Sequence, residues 1–414
     1  MNTSSLMSKE INNSVERELA RGESISIINL VDRLIEKAHG SRASDIHIDP
    51  ANAEVRVRLR IDGVLQDSYR FPKNVHSEVI SRIKVLAGLR TDEHQATQDG
   101  RFRQTLPEDE FVDIRVSIAP TYHGENAVLR LLFDNASEQF TLNSLGFQPD
   151  DQKKISDAIH KSSGMILVTG PTGSGKTTTL YTLMRMLNSK EVSLVTIEDP
   201  IEYAVEGVEQ IQVNARAGLT FANGLRTILR QDPNIIMVGE IRDSETAGIA
   251  INTALTGHLL LSTLHTNDAA TTLPRLLDMK VESFLVASTI NLAIGQRLVR
   301  HLCEHCKTKR KVDASLAESL SAVTLNVPVQ VGETFWVGVG CDQCNDTGFS
   351  GRLCICEVLV ADTKIRNAIL EQATVSQLKA LAIAGGMRTM IEDGFAKVRA
   401  GLTTPEEVLR VIHE

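Results

Sequence analysis

Met165-Ile-Leu-Val-Thr-Gly170-Pro-Thr-Gly-Ser-Gly175-Lys176-Thr177 joins a short apolar run to a glycine-rich turn, and residues 178–187 then suit a helix. The turn fits the pattern G-x-x-x-x-G-K-T in full. In such a loop the glycines let backbone N–H groups turn inward around phosphate oxygens, and the start of the helix adds positive potential. Lys176 is placed to hold the β- and γ-phosphates of a nucleotide, and the Thr177 hydroxyl to ligate Mg²⁺. A glycine-rich turn without a ligand is the bland alternative. The strand, loop, Lys-Thr and helix occurring together argue against it.

Further short apolar runs follow at 194–197, 235–238 and 259–261, with helical stretches between them. Buried strands alternating with helices imply a mostly parallel sheet covered on both faces. The region before the loop reads differently. Residues 1–24 are polar and form a loose tail in this reading. Ile27, Val31, Leu34, Ile35 and Ala38 recur at helical spacing, and Gly40 marks a stop. Val55, Val57, Leu59 and Ile61 then alternate with Arg56, Arg58 and Arg60, as in a half-buried strand, and Asp62-Gly63 reads as a hairpin turn. Residues 112–118 and 128–132 repeat the strand pattern. The spacing therefore predicts a small α+β domain over 25–135, an α/β domain over 136–300, a cysteine-bearing module over 301–356 and a helical region over 357–414.

The chain has 414 residues, a formal net charge of −8 and 42% hydrophobic residues, which suits a globular protein of several domains. The acidic balance disfavours a general nucleic-acid binder. The polar start carries no signal peptide, and no run of about 18 apolar residues exists. The expected location is the cytoplasm.

Hydrolysis needs a group that activates water. Residues 234–240, ending in Gly239-Glu240, look like the second strand of a nucleotide hydrolase, with Gly in place of the usual Asp. Glu240 is the candidate to polarise the attacking water. The stretch Ile197-Glu198-Asp199-Pro200-Ile201-Glu202, at the end of another predicted strand, offers a further carboxylate for Mg²⁺. A surface carboxylate at a strand end is the competing reading for each.

Cys303-Glu-His-Cys306 and Cys341-Asp-Gln-Cys344 form two C-x₂-C pairs with 34 residues between them. Two such knuckles complete a four-sulfur zinc site, here closing an inserted loop. His305 is a possible competitor as a ligand. Cys354 and Cys356 alternate in an apolar run and read as packed strand thiols.

Residues 170–181, 198–203, Arg230 to Arg242 and Thr256 to Asp268 together resemble the secretion-ATPase superfamily, and the resemblance runs from about Ser44 to the C-terminus. The branch it is most similar to contains the type II secretion and type IV pilus assembly ATPases, whose N-terminal domain is matched by Ser44-Asp-Ile-His-Ile48, Arg60-Ile-Asp-Gly63 and Gln98-Asp-Gly-Arg101. The resemblance implies a RecA-like ATPase core, a PAS-like N-terminal domain and a homo-hexamer. It also implies ATP, Mg²⁺ and Zn²⁺ as cofactors. The implied setting is the cytoplasmic side of the inner membrane, with peripheral attachment through a membrane platform protein. The loop residues Gly170, Pro171, Thr172, Gly173, Ser174, Gly175, Lys176, Thr177 and Thr178 would carry the nucleotide. Glu198, Asp199 and Glu202 fall on the family's acidic box, and His258 and His265 on its histidine box near the γ-phosphate. Arg226, Arg230 and Arg242 match positions for nucleotide contact or coupling. By spacing alone the two histidines are polar residues flanking a strand.

The resemblance also implies that N-domain arginines reach the nucleotide when the domains close, a role for Arg58 and Arg60; without it, arginines along one strand face are usually solvated. The run from Arg297 to Lys311 is basic, and can face a membrane, an acidic partner or only solvent. Three departures stand out. Only about 24 residues precede the shared region, where many members carry a large extra domain that docks on a membrane partner. Asn234 replaces a common acidic residue, and Gly124-Glu-Asn-Ala127 lacks the usual arginine. A conjugation-type NTPase that handles DNA and a nucleotide-gated scaffold are the competing functions. Arg58→Ala is expected to lower ATP turnover more than nucleotide binding; equal turnover in variant and parent, measured by phosphate release, rejects that role.

Overall fold

A computed structural model describes residues 14–107, 110–133, 140–323 and 327–413. The chain divides after Asn135 into two compact units. Of the expected tail, residues 1–13 lie outside the described residues. Residues 14–19 are helical, and Val15 is buried in the first unit's core. The apolar pair Val15 and Leu19, one helical turn apart, is the reason this stretch packs.

The first unit is a six-stranded antiparallel sheet: β1 (Ala43–Pro50), β2 (Glu54–Ile61), β3 (Val64–Pro72), β4 (Gln98–Thr105), β5 (Phe111–Thr121) and β6 (Gly124–Leu132), in spatial order β3-β2-β1-β6-β5-β4. Two helices, α1 (Ile27–Gly40) and α2 (His76–Leu86), supply apolar residues to its core. Leu30, Leu34 and Ile35 of α1 share that core with Ile46, Val57 and Leu129. The side chains that alternate with these core residues are polar. Across them the register aligns Arg60, Asp45, Arg130, Arg115 and Arg101 on five successive strands. Asp45, nearly buried, ion-pairs with Arg60 at 3.3 Å and Arg130 at 2.9 Å. Arg58 is held by Asp49, Nη2 to Oδ2 at 2.8 Å.

The second unit is built on a seven-stranded sheet. Its strands are β7 (Gly164–Thr169), β8 (Leu194–Glu198), β9 (Glu209–Gln212), β10 (Ile235–Val238), β11 (Leu259–Leu264), β12 (Ile290–Leu302) and β15 (Phe349–Val360), in the order β15-β12-β7-β11-β10-β8-β9. All pairings are parallel except β12 with β15. Helices α3 (Pro149–Ile159) and α4 (Lys176–Leu187) contribute to the core on one face; α5 (Phe221–Ile228), α6 (Ser244–Leu255), α7 (Ala269–Asp278) and α8 (Ser283–Thr289) contribute to the other. The fold is therefore the α/β arrangement with a smaller α+β unit that the patterning predicts.

Between β12 and β15 the chain leaves the sheet. The excursion carries the ribbon β13 (Lys307–Lys311) and β14 (Thr334–Gly338), with α9 (Ala314–Val323) between them. Strand β15 runs across residue 356 and pairs with β12 from Phe349 to Val360. Helices α10 (Thr363–Leu370), α11 (Val375–Ala384), α12 (Met390–Arg399) and α13 (Pro405–His413) complete the unit.

As an edge strand, β15 exposes backbone groups that need partners. Two buried side chains of α12 supply them: Asp393 accepts from the Cys356 N–H at 2.9 Å, and Lys397 donates to the Cys354 carbonyl at 2.6 Å. The two side chains also pair with each other at 2.5 Å. A buried ion pair is thereby spent on closing a sheet edge, where both charges also find hydrogen bonds.

Candidate functional site

In parallel register the strands end together. Thr169 of β7 lies beside Leu264 of β11, Ser262 of β11 beside Val238 of β10, and Val238 beside Ile197 of β8. The residues that follow each strand therefore share one edge of the sheet: the loop 170–177, Glu198, Glu240 and His265. This is the crevice at the carboxyl ends of an open α/β sheet where ligands bind.

The loop has the backbone its sequence requires. Gly170, Gly173 and Gly175 have φ of 149°, 79° and 84°, values that L side chains rarely adopt. Lys176 starts α4 and is 9% exposed; its ammonium donates to the carbonyls of Gly170 and Pro171, both at 2.9 Å. Burial brings this ammonium down to about 8, Glu240 opposing the shift and Arg297 adding to it. Thr177 and Thr178 follow in the first turn of α4, with the Thr177 side chain exposed. Thr169 ties the loop's entry strand to β11: its hydroxyl lies 2.9 Å from the Thr266 carbonyl and accepts from the Thr266 N–H at 3.0 Å.

Glu240 is nearly buried. Arg242 Nε lies 2.6 Å, and His265 Nε2 3.3 Å, from its Oε2. A cation and an imidazole thus fix the carboxylate at the mouth of the loop. Gly239 fits the atypical second motif sterically, because a Cβ there would lie 3.3 Å from the Ile197 carbonyl oxygen.

Glu198 is buried and committed to protein donors: the Tyr181 hydroxyl of α4, the Thr196 hydroxyl at 2.6 Å and the Gln210 amide at 3.0 Å. Its carboxylate joins β8 to the helix that follows the loop. The Asp199-Pro200 peptide is cis, and the side chains of Asp199 and Glu202 are exposed just beyond it.

The two histidines read as one box are not brought together. His258 precedes β11, where its carbonyl accepts from the Gly164 N–H at 3.1 Å and its Nδ1 lies 3.2 Å from the Thr253 carbonyl. Seven residues of extended chain, about 3.3 Å each, put it roughly 20 Å from His265. Within one chain, His258 lies at the sheet edge opposite the phosphate loop. Arg226 is on the exposed side of α5 and Arg230 in the turn that follows it: Arg226 pairs with Glu245 at 2.7 Å, and Arg230 donates to the Arg226 carbonyl at 3.0 Å. Arg58 and Arg60 belong to the first unit and carry the ion pairs given above.

Sequence reasoning missed three groups around the loop: Tyr181, Thr169 and Gln296. Gln296, on β12 and 1% exposed, donates to the Ser174 carbonyl at 2.7 Å and accepts from the Thr179 hydroxyl at 2.9 Å. Its only signal in the sequence is an amide and an arginine in an otherwise apolar run. A cavity of about 760 Å³, lined in part by Leu142, Met186 and Val205, lies elsewhere. Met186 is ten residues past Lys176 along α4, about 15 Å away.

The sulfurs of Cys303, Cys306, Cys341 and Cys344 all lie within 4.8 Å of one another. The separations Cys303–Cys341 and Cys306–Cys344 are 3.8 Å, and Cys341–Cys344 is 3.7 Å. A tetrahedral ion with bonds of about 2.3 Å sets sulfurs about 3.8 Å apart, so the four thiols fit zinc. Backbone N–H groups of Cys341 and Gly348 donate to Cys344 Sγ at 3.2 and 3.3 Å. Burial pushes that thiol up, but these bonds together with contacts from the Cys341 and Cys306 sulfurs bring it down to about 7. His305 stands outside this four-sulfur set, and Cys354 and Cys356 are buried strand residues in the core.

The family described as type II/IV secretion system protein matches residues 20–410. The chain is 47% identical over 388 residues to the type II secretion system protein E of Xanthomonas campestris pv. campestris, covering 94% of this chain and 68% of that one. It is 46% identical over 379 residues to the type IV pilus assembly ATPase PilB of Thermus thermophilus, covering 92% of this chain and 42% of that one. Among solved structures, the pilus retraction motor PilT with bound ADP superposes with a TM-score of 0.60 at 26% identity, covering 92% of this chain and 96% of that one. The ATPase DotB of Legionella pneumophila, 22% identical with a TM-score of 0.66 over 92% of this chain and 95% of that one, shares the fold.

Phosphate favours the charged form of Lys176, so nucleotide binding near pH 8 is expected to take up a fraction of a proton. Affinity should fall as pH rises from 8 toward 10, where the lysine must be reprotonated to bind. Calorimetric titration of ADP in two buffers of different ionisation enthalpy measures the uptake; identical heats in both overturn it.

Proposed function

The chain belongs to the type II/IV secretion system protein family, and we propose that it is the ATPase motor that drives assembly of a type IV pilus or a secretion pseudopilus. The observation that carries this reading is the meeting of the loop 170–177, Glu240 and His265 at one sheet edge. The loop's amides and Lys176 grip the polyphosphate, and the first-turn position of Thr177 suits an Mg²⁺ ligand. Mg²⁺, when bound, neutralises charge on the phosphates. Glu240, steadied by Arg242 and His265, orients the attacking water and accepts its proton. Glu198 acts through Tyr181, tying the end of β8 to α4; Asp199 and Glu202 stand exposed beyond it, available to water ligands of the metal. Arg226 on α5 and Arg230 just after it, both exposed, suit contacts to a neighbouring subunit. So does His258, at the far sheet edge.

The motor works as a homo-hexamer at the cytoplasmic face of the inner membrane, against a membrane platform protein. Arg58 and Arg60 are assigned a part in turnover, their guanidinium groups suited to phosphate oxygens. Among the described residues no helix is long and apolar enough to cross a membrane. The four cysteines hold a structural zinc, which supplies cross-linking and no chemistry.

Lys176→Ala is expected to abolish detectable ATP hydrolysis, and Glu240→Gln to lower it by about 10²–10⁴-fold with nucleotide still bound. Unchanged turnover in Glu240→Gln removes its catalytic assignment. Metal analysis should find one zinc per chain in the parent and well under one in Cys341→Ser; full retention in the variant rules out the four-sulfur site.

A further inference from the structure

We propose that Gln296 is a positioning residue that holds the phosphate loop in its nucleotide-receptive shape, an inference that rests on reading residues 170–177 as the nucleotide site. Its amide is sealed in the protein and uses both ends on the loop's flanks. One end donates to the Ser174 carbonyl at 2.7 Å, the other accepts from the Thr179 hydroxyl at 2.9 Å. These contacts bracket Gly175, Lys176, Thr177 and Thr178.

The peptide plane makes the first contact consequential. In a trans peptide the carbonyl of one residue and the N–H of the next point in opposite directions. Holding the Ser174 carbonyl against β12 therefore aims the Gly175 N–H away from β12, into the cradle. The loop is also seated on Gln296 by shape. A Cβ at Gly170 would lie 2.5 Å from the Gln296 carbonyl oxygen, and one at Gly175 would lie 3.1 Å from Gln296 Nε2. Without the amide the Ser174 peptide is free to rotate. Apparent affinity then falls in proportion to the fraction of loops in the competent shape.

The test compares the parent with Gln296→Met, similar in length but without the amide, with Thr179→Val, and with Gln296→Glu. Binding of a fluorescent ADP analogue with Mg²⁺, saturating turnover and the nucleotide-free thermal midpoint are measured for each. Gln296→Met is expected to raise Kd roughly tenfold while its midpoint and its saturating turnover stay close to the parent's. Thr179→Val should fall between. Gln296→Glu sets an acceptor against the Ser174 carbonyl, so its binding should be weakest at pH 8. Relative to the parent at the same pH it should recover at pH 6, as burial favours the neutral carboxyl. Parent-like affinity in Gln296→Met overturns the proposal. So does a loss of affinity matched by a lowered midpoint with no recovery of Gln296→Glu at pH 6. Failure of the parent itself to bind would instead remove the nucleotide site.

Discussion

Everything at this site depends on one backbone constraint: the peptides between Gly170 and Thr177 must turn their N–H groups toward a shared centre. Three left-handed or otherwise unusual glycines permit that turn, but permission is not enforcement. A chain segment with so much freedom pays a large entropy to stay in one shape. The structure meets this cost with contacts from every side. Thr169 is locked to the end of β11, α4 begins at Lys176 without slack, and β12 supplies an amide from below. The loop is thus a flexible sequence in a rigid mould.

The same logic explains the carboxylates. Glu198 and Glu240 end neighbouring strands, yet their surroundings separate their duties. Glu198 is saturated by hydroxyl and amide donors and joins strand to helix. Glu240 is held by a cation and an imidazole at the mouth of the loop, close enough to Lys176 to favour its charged form. One carboxylate fixes geometry; the other acts on the charge of the loop's lysine.

Features with a local pattern were legible in the sequence. The phosphate loop, the alternating arginines of β2, the buried parallel strands and the paired cysteines each combine residue type with fixed spacing, and the structure has them where that spacing puts them. What escaped depends on contacts far apart in the chain. His258 and His265 look alike in a linear reading, but a strand between them carries them to opposite sheet edges. Gln296 meets the loop only because β12 pairs with β7, more than a hundred residues upstream. Asp393 and Lys397 look like solvated helix charges, and only the open edge of β15 explains their burial. Val15 and Leu19 make too short an apolar pattern to be told from a tail.

The cysteine cluster sits at the neck of a long excursion, and the neck is already closed. Leu302 and Phe349 are ladder partners at the end of the β12–β15 pairing, next to Cys303. Bringing the ends of such a loop together costs about 3 kcal/mol in chain entropy, and the strand pairing meets that cost before any sulfur does. A metal held by these sulfurs would therefore gain little from loop closure. It would order the knuckles themselves, so that a chelator would loosen the ribbon while leaving the seven-stranded sheet threaded as it is.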